Sequence, residues 1–187
     1  FNVVNAWQIK NVNNLISLYL RNTYPSRHNV LFAVHNKSII IFNLKNSKFN
    51  TVVGCNFINN TAYAFAGLNT KGGGAIFWSL GGYNGVVKNS TFIGNIVNST
   101  TKADGGAILW DKSSHSFIDG CLFDGNYVTS TDYQNPKIWV QGGVMYARPT
   151  DNLTISNSVF QNCWSKREAG ALYLQNGGPT GIHLINN

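Results

Sequence analysis

GGAIFW at residues 73–78 and GGAILW at residues 105–110 are nearly the same six letters. Two weaker copies follow, GGVMYA at 142–147 and AGALYL at 169–174. Recurrence of one motif along a chain is the sequence signature of a repeat architecture. The fold is therefore expected to use one structural unit several times.

A second motif, Phe-x-x-Asn, accompanies the first. Its Phe stands 18 or 19 residues after the first position of each of the first three copies, whereas the distance from a Phe to the next copy varies from 9 to 19 residues. The unit therefore has one constant half and one half that tolerates insertions, as in a solenoid with a packed wall and loops of free length. Two positions depart from the pattern: Cys163 replaces the Asn of the fourth unit, and Ala169 replaces the first Gly of the last.

The segments between the motifs indicate strands. Short runs rich in Val, Ile, Phe, Tyr and Trp are interrupted every few residues by Gly, Asn, Ser or Thr, which is typical of strands and not of helices. Strands that recur with similar letters favour a parallel β-helix, in which each pairs with its counterpart about 4.8 Å away in the next coil. We predict one all-β domain over residues 1–187, with about five or six coils in residues 38–187.

The two ends of the chain are less regular. Residues 1–37 are predicted to form irregular first coils or a cap. The chain opens on Phe1 without a Met and stops at Asn187, where the next Phe-x-x-Asn strand would continue. We therefore expect a processed product or a piece of a longer chain. The strands of its last coil would have an unpaired edge, through which copies could associate.

In a parallel β-helix like residues stack on like, so each position becomes a file along the axis. The file of Ile76, Ile108, Met145 and Leu172 is uniformly large and aliphatic and is therefore predicted to be interior. Strand alternation puts the file of Trp78, Trp110, Ala147 and Leu174 on the same face, but the sequence leaves open whether these tryptophans face inward or outward. A further file holds the large residues Phe57, Phe92, Phe123 and Phe160. A fourth file holds the small residues Cys55, Ser90, Cys121 and Ser158. The file of opposite parity, Phe77, Leu109, Tyr146 and Tyr173, should face outward, either covered by loops or as an exposed aromatic strip.

Composition narrows the function classes. Hydrophobic residues make up 43% of the chain, so a packed core is expected and disorder is not. No apolar run approaches the roughly 18–20 residues of a membrane span. The net charge is +7, but the basic residues are scattered and no nucleic-acid-binding motif accompanies them, which favours a general attraction to anionic surfaces or polysaccharides over specific nucleic-acid binding. The three cysteines are too few and too widely spaced for a zinc site or a disulfide framework.

The paired GGA-[I/L/V] and Phe-x-x-Asn motifs over roughly residues 50–185 resemble the repeats of chlamydial polymorphic outer-membrane proteins and of adhesin-like surface proteins of methanogenic archaea. This resemblance implies a right-handed, single-stranded parallel β-helix. It also implies a surface protein of the passenger type that adheres to cells or matrix and needs no cofactor. No catalytic residues come with the motifs.

Enzymatic alternatives remain open, because parallel β-helices also house polysaccharide lyases and hydrolases. Glycoside hydrolysis needs two carboxylates about 5–9 Å apart. Of the seven acidic residues, only Asp104 and Glu168 share a position, directly before a GGA-type motif, and they are expected two coils apart, at roughly 10 Å. The chain offers no carboxylate cluster for a metal and no catalytic set that the sequence singles out.

The insertion segments 96–104, 127–141 and 164–168 should emerge from one edge and lie side by side. They carry aromatic and cationic side chains of the kind that bind sugars or anionic glycans. We predict possible ligand-binding residues in this set: Lys102, Tyr127, Tyr133, Lys137, Trp139, Trp164, Lys166 and Arg167.

Five N-glycosylation sequons suit an exported protein. They begin at Asn36, Asn59, Asn89, Asn98 and Asn152. Asn98 and Asn152 are expected in loops and are therefore the favoured acceptors.

Taken together, the sequence predicts an extracellular or cell-surface, non-catalytic module that binds cell-surface or matrix glycans or proteins. A carbohydrate-active β-helix enzyme and a structural subunit of a surface layer or filament are the alternatives.

Overall fold

The structure, a computed structural model, describes residues 15–21, 30–35, 42–43, 51–64, 72–79, 84–112, 114–176 and 181–187. These residues contain strands and turns and no helix. The strands are β1 (Leu15–Arg21), β2 (Val30–His35), β3 (Phe42–Asn43), β4 (Thr51–Val53), β5 (Asn56–Ile58), β6 (Thr61–Ala64), β7 (Ile76–Ser79), β8 (Val86–Lys88), β9 (Thr91–Ile93), β10 (Ile96–Ser99), β11 (Ala103–Asp104), β12 (Ile108–Asp111), β13 (Ser114–Asp119), β14 (Leu122–Asp124), β15 (Tyr127–Ser130), β16 (Val140–Gln141), β17 (Met145–Ser156), β18 (Val159–Gln161), β19 (Trp164–Ser165), β20 (Leu172–Asn176) and β21 (Ile182–Ile185).

Every strand pair from β3 onward is parallel, and each strand pairs with its equivalent in the next unit. Strands β5, β9, β14 and β18 form one sheet, and β6, β10, β15 and β19 form another. Strands β3, β7, β12, β17, β13, β8 and β4 form a third, to which β20 and β21 add through β17. This all-β arrangement is consistent with a parallel β solenoid. In the predicted cap, the described residues form one antiparallel pair, β1 with β2.

The register confirms the predicted Phe file. Phe57, Phe92, Phe123 and Phe160 are aligned one above the other, and their rings stack at centroid distances of 4.7, 4.7 and 4.9 Å. Such offset or parallel ring contacts add to the free energy gained by burial. A constant spacing between the two motifs thus becomes one continuous aromatic column.

The Trp file is also inside, which decides the orientation that the sequence left open. Trp78 and Trp110 are aligned, fully buried and stacked at 4.5 Å. They belong to the same apolar core as Ile76 and Ile108. The outward file is covered at its two middle members, since Leu109 and Tyr146 are buried as completely as the core residues, while Phe77 and Tyr173 are half-buried. A methyl group on Gly72 would lie 2.5 Å from Leu109 Cδ1, so the chain just before the GGA motif lies directly over this file.

Polar side chains form ladders at the corners. Asn95 and Asn126 are fully buried. Asn126 Nδ2 donates to Phe92 O at 2.8 Å, and Asn126 Oδ1 accepts from Asn95 N at 3.0 Å and Asn95 Nδ2 at 2.9 Å. Asn95 makes the same contacts one unit earlier, donating to Phe57 O. Each amide therefore satisfies main-chain groups that the corner would otherwise bury without partners.

The two glycines of the GGA motif have different roles. The first, as in Gly105 (φ +65°) and Gly142 (φ +68°), adopts the left-handed conformation that side chains disfavour. The second packs against backbone: a methyl group on Gly143 would lie 2.0 Å from Gly170 O and 2.5 Å from Trp164 O. Ala169 takes the first position in the last copy and still adopts φ +56°.

The insertion segments are more ordered than predicted. Residues 96–99 and 127–130 are strands β10 and β15, and residues 103–104 and 140–141 are strands β11 and β16. A second, smaller apolar cluster joins them: Val97, Ala103, Val128 and Val140. We call these strands, with β19, the arm. The expectation of free loops is wrong here, because successive insertions pair with one another and bury their own apolar residues.

The last described unit pairs on one side only, since β18, β19, β20 and β21 contact just the preceding unit among the described strands. Val159, Leu184 and Ile185 are exposed there.

Candidate functional site

The outer face of the arm presents an aromatic pair. Tyr127 and Trp164 are aligned on β15 and β19, and their rings stack at 4.6 Å with an angle of 4°. Trp164 is 41% exposed. Lys166 Nζ lies 5.6 Å from the Trp164 ring centroid and 5.0 Å from that of Tyr133. The face therefore combines an accessible indole, a supporting phenol and a cation.

Arg167 organises the neighbouring turn. Its Nη1 donates to Asn135 O at 3.0 Å and also to Ile138 O. Asn135 Oδ1 in turn accepts from Lys137 N at 3.1 Å. Because its guanidinium is engaged with main-chain carbonyls, Arg167 holds the turn after β15 against β19. These bonds give Arg167 a positioning role, and its ligand-binding role stays a prediction.

The eight predicted residues do not share one set of contacts. Tyr127, Tyr133, Trp164 and Lys166 are in ring contact, and Arg167 and Lys137 belong to the adjoining turn. Trp139 is 50% exposed just before β16. Lys102 departs from the set: its Nζ pairs with Asp104 Oδ2 at 3.5 Å and lies 6.0 Å from the Tyr146 ring. Lys102 directly precedes β11, which pairs with β16, whereas Trp164 lies on β19, which pairs with β15 in a separate sheet.

Lys102 belongs to a polar cluster between the arm and the outward file, which we call the Asp104 cluster. Its members are Lys102, Asp104, Asp111, Tyr146 and Arg148. Asp104 and Tyr146 are each only 1% exposed. The Tyr146 hydroxyl and Asp104 Oδ1 make no hydrogen bond with the described residues, whereas Asp104 Oδ2 faces Lys102 Nζ at 3.5 Å. Arg148 Cζ lies 5.3 Å from the Tyr146 ring centroid, and Tyr146 stacks on Tyr173 at 5.2 Å.

Burial dominates the acid–base properties of this cluster. Desolvation raises the pKa of Asp104 from 3.8 to about 7, although the nearby charges of Lys102 and Arg148 lower it, and that of Asp111 raises it further. Desolvation likewise raises the pKa of Asp111 and of Tyr146. Sequence analysis noted Asp104 but missed Asp111, Tyr146 and Arg148. The sequence signal that could have identified Asp111 and Arg148 is that they hold equivalent positions in successive units, where an acid and a base would be neighbours.

Replacing Asp104 with asparagine should remove a pH dependence of stability. Between pH 4 and 7 the folded chain keeps a proton on Asp104 that the unfolded chain has lost, so stability falls as the pH rises, by up to about 1.4 kcal/mol per unit. Urea unfolding of both proteins at pH 4.5, 6 and 8 measures this slope. The Asp104→Asn protein should have the flatter profile and the higher stability at pH 8. Parallel profiles for the two proteins would show that Asp104 is ionised throughout.

The spacing of the acidic residues agrees with the expectation from the repeat. Asp104 aligns with Gln141, and Gln141 with Glu168, so the two carboxylates are two strands apart. Gln141 lies between them and donates from Nε2 to Glu168 Oε2 at 2.6 Å. Among the residues that the structure describes, no group of three His, Cys, Asp or Glu side chains could hold a metal ion.

The sequons differ in their settings. Asn59 and Asn89 are exposed at corners with φ +54° and +47°. Asn98 is half-buried in β10, and Asn152 lies within β17 at φ +50°. The expectation that Asn98 and Asn152 occupy loops is therefore wrong, because both segments pair with neighbouring units. Asn36 lies outside the described residues.

Comparison with family models, with curated proteins and with solved structures gives no match for this chain. None of the described residues belongs to a helix that is long and apolar enough to cross a membrane.

Proposed function

We propose that this chain is an extracellular, adhesin-like module that binds cell-surface or matrix glycans through the outer face of the arm, without catalysis. The scaffold would be a right-handed, single-stranded parallel β-helix of about five or six coils. The observation that carries the proposal is the exposed Trp164, backed by Tyr127 and flanked by Lys166.

This arrangement suits a sugar ligand for a physical reason. An indole ring presents a flat, apolar face to the C–H groups of a pyranose ring, and burying it releases bound water. The stack on Tyr127 fixes the ring before binding, so little side-chain freedom is lost when the ligand arrives. Lys166 adds a charge for acidic glycans, and the net charge of +7 favours their approach.

A carbohydrate-active enzyme is the second candidate, and one observation favours it. Asp104 is held in its protonated form to about neutral pH, while the ladder places a second carboxylate, Glu168, two strands away. Paired acids with different environments are the usual acid–base assignment in glycosidases. The separation of roughly 10 Å exceeds the range of about 6.5–9.5 Å for inverting enzymes, so binding is the stronger proposal.

The test is a glycan panel on which retention and soluble products are measured together. Trp164→Ala should weaken retention at least about tenfold, since an aromatic contact contributes about 0.5–1.5 kcal/mol beyond its burial. Val159→Ala is the matched control, because Val159 is similarly exposed on β18, outside the arm.

Three results would count against the proposal. Equal retention of the Trp164→Ala and unchanged proteins would show that glycans bind at a surface other than the outer face of the arm. Release of oligosaccharides that stops in an Asp104→Asn protein would establish the enzyme instead. Absence of both retention and products, with assembly that grows with concentration, would establish a structural subunit.

A further inference from the structure

The Asp104 cluster has no part in glycan binding by the outer face of the arm, yet it holds buried polar groups that lack partners. We propose that this cluster is a second binding site, specific for a carboxylate group such as that of a uronic acid residue. The proposal is independent of the outer face, because Lys102 and Lys166 belong to different sets of contacts.

The first argument comes from the unpartnered groups. A buried hydroxyl or carboxyl without a hydrogen bond costs about 1–3 kcal/mol, and such groups are rare in folded proteins. The Tyr146 hydroxyl and Asp104 Oδ1 are in this state within the described residues, whereas Asp104 Oδ2 is paired with Lys102 Nζ. A protonated Asp104 and the Tyr146 hydroxyl each offer an O–H donor. An acceptor-rich ligand would therefore satisfy both.

The second argument comes from charge. Lys102 and Arg148 both approach the Tyr146 ring, at 6.0 and 5.3 Å. With Asp104 protonated, the two cations outnumber the remaining acid of the cluster, Asp111, which is itself buried. The excess of positive charge in a poorly solvated place disfavours a cation and favours an anion.

The third argument concerns the shape of the ligand and its entry. A guanidinium group presents two parallel N–H donors that match the two oxygens of a planar carboxylate. Arg148 is half-buried, and the Lys102 side chain is 24% exposed. These two side chains therefore reach solvent while Asp104 and Tyr146 lie beneath them. A ligand can enter by displacing the ends of two flexible side chains.

The experiment uses the intact chain at pH 6 and constant ionic strength. Sodium glucuronate, sodium acetate, glucose and sodium sulfate are titrated in turn, and binding is measured by isothermal titration calorimetry and by the shift in unfolding temperature. We expect glucuronate to bind and to raise the unfolding temperature, with glucose and sulfate much weaker. Tyr146→Phe should weaken glucuronate about 5- to 10-fold, and Lys102→Met by a similar factor.

The variants are chosen so that folding does not obscure the result. Tyr146→Phe removes one hydroxyl that makes no hydrogen bond, so the folded state should be retained. Lys88→Met is the control, because Lys88 lies on β8 and pairs with Asp119, outside both sites, and it should leave glucuronate binding unchanged. Trp164→Ala should also bind glucuronate here even if it loses retention on the glycan panel, so the two proposals can fail separately.

Acetate that binds as well as glucuronate would support the carboxylate site and show that the sugar ring takes no part. Three outcomes would overturn the proposal: no response to either carboxylate, an equal response to sulfate, or unchanged binding in both the Tyr146→Phe and Lys102→Met proteins.

Discussion

Gly143→Ala is expected to destabilise the fold by about 3 kcal/mol or more, or to prevent folding. The added methyl group would lie 2.0 Å from Gly170 O, 2.5 Å from Trp164 O and 2.6 Å from Trp164 C. All three atoms are main chain in the next unit, so no side chain can move aside. Denaturant unfolding monitored by tryptophan fluorescence measures the decrease in the free energy of unfolding.

Gly170→Ala is the matched control for this change. Gly170 holds the same position one unit later, but there a methyl group would come no closer than 3.6 Å, to Cys163 O. This substitution should change the free energy of unfolding by less than about 0.5 kcal/mol. Equal effects at the two positions would mean that the close approach of neighbouring units is not what requires glycine.

The second large effect is expected from Asn126→Asp, at about 3–5 kcal/mol. Asn126 is fully buried, and its Nδ2 lies 2.8 Å from Phe92 O. A carboxylate of the same shape places an oxygen against that carbonyl and a charge in the core. The change should cost less at low pH, where the new acid is protonated and can donate. Chemical unfolding at pH 8 measures the loss of stability, and unfolding at pH 4.5 measures how much smaller that loss becomes when the new acid is protonated.

Asn98→Asp provides the comparison at a half-buried, outward position in β10. Its cost should stay below about 0.5 kcal/mol at either pH. If Asn126→Asp were equally mild, the amide ladder would contribute little to the corner.

The repeat itself could be predicted because like residues stack on like. The interval between the motifs fixes which Phe contacts which, and it aligns Trp78 with Trp110, although the sequence left open whether that pair faces the core. These properties depend on neighbours at a constant distance along the chain. They require no knowledge of the insertions.

The arm could not be predicted in the same way. Varying length suggested free loops, whereas pairing of Ile96–Ser99 with Tyr127–Ser130 depends on two units already being stacked. Lys102 and Trp164 belong to two different sheets of the arm, and no motif marks where the chain passes from one sheet to the other. The environment of Asp104 depends on what covers Leu109 and Tyr146, and strand alternation alone leaves that open.

The column of aligned phenylalanines also has a genetic consequence. Because Phe92 contacts Phe57 on one side and Phe123 on the other with nearly the same geometry, an in-frame deletion of residues 92–122 would leave Phe123 to meet Phe57 in an equivalent contact. Unequal crossing-over between the gene segments of two units would therefore change the length of the protein without creating a new kind of internal contact. Variation in length by whole units is the form of change that this architecture tolerates best.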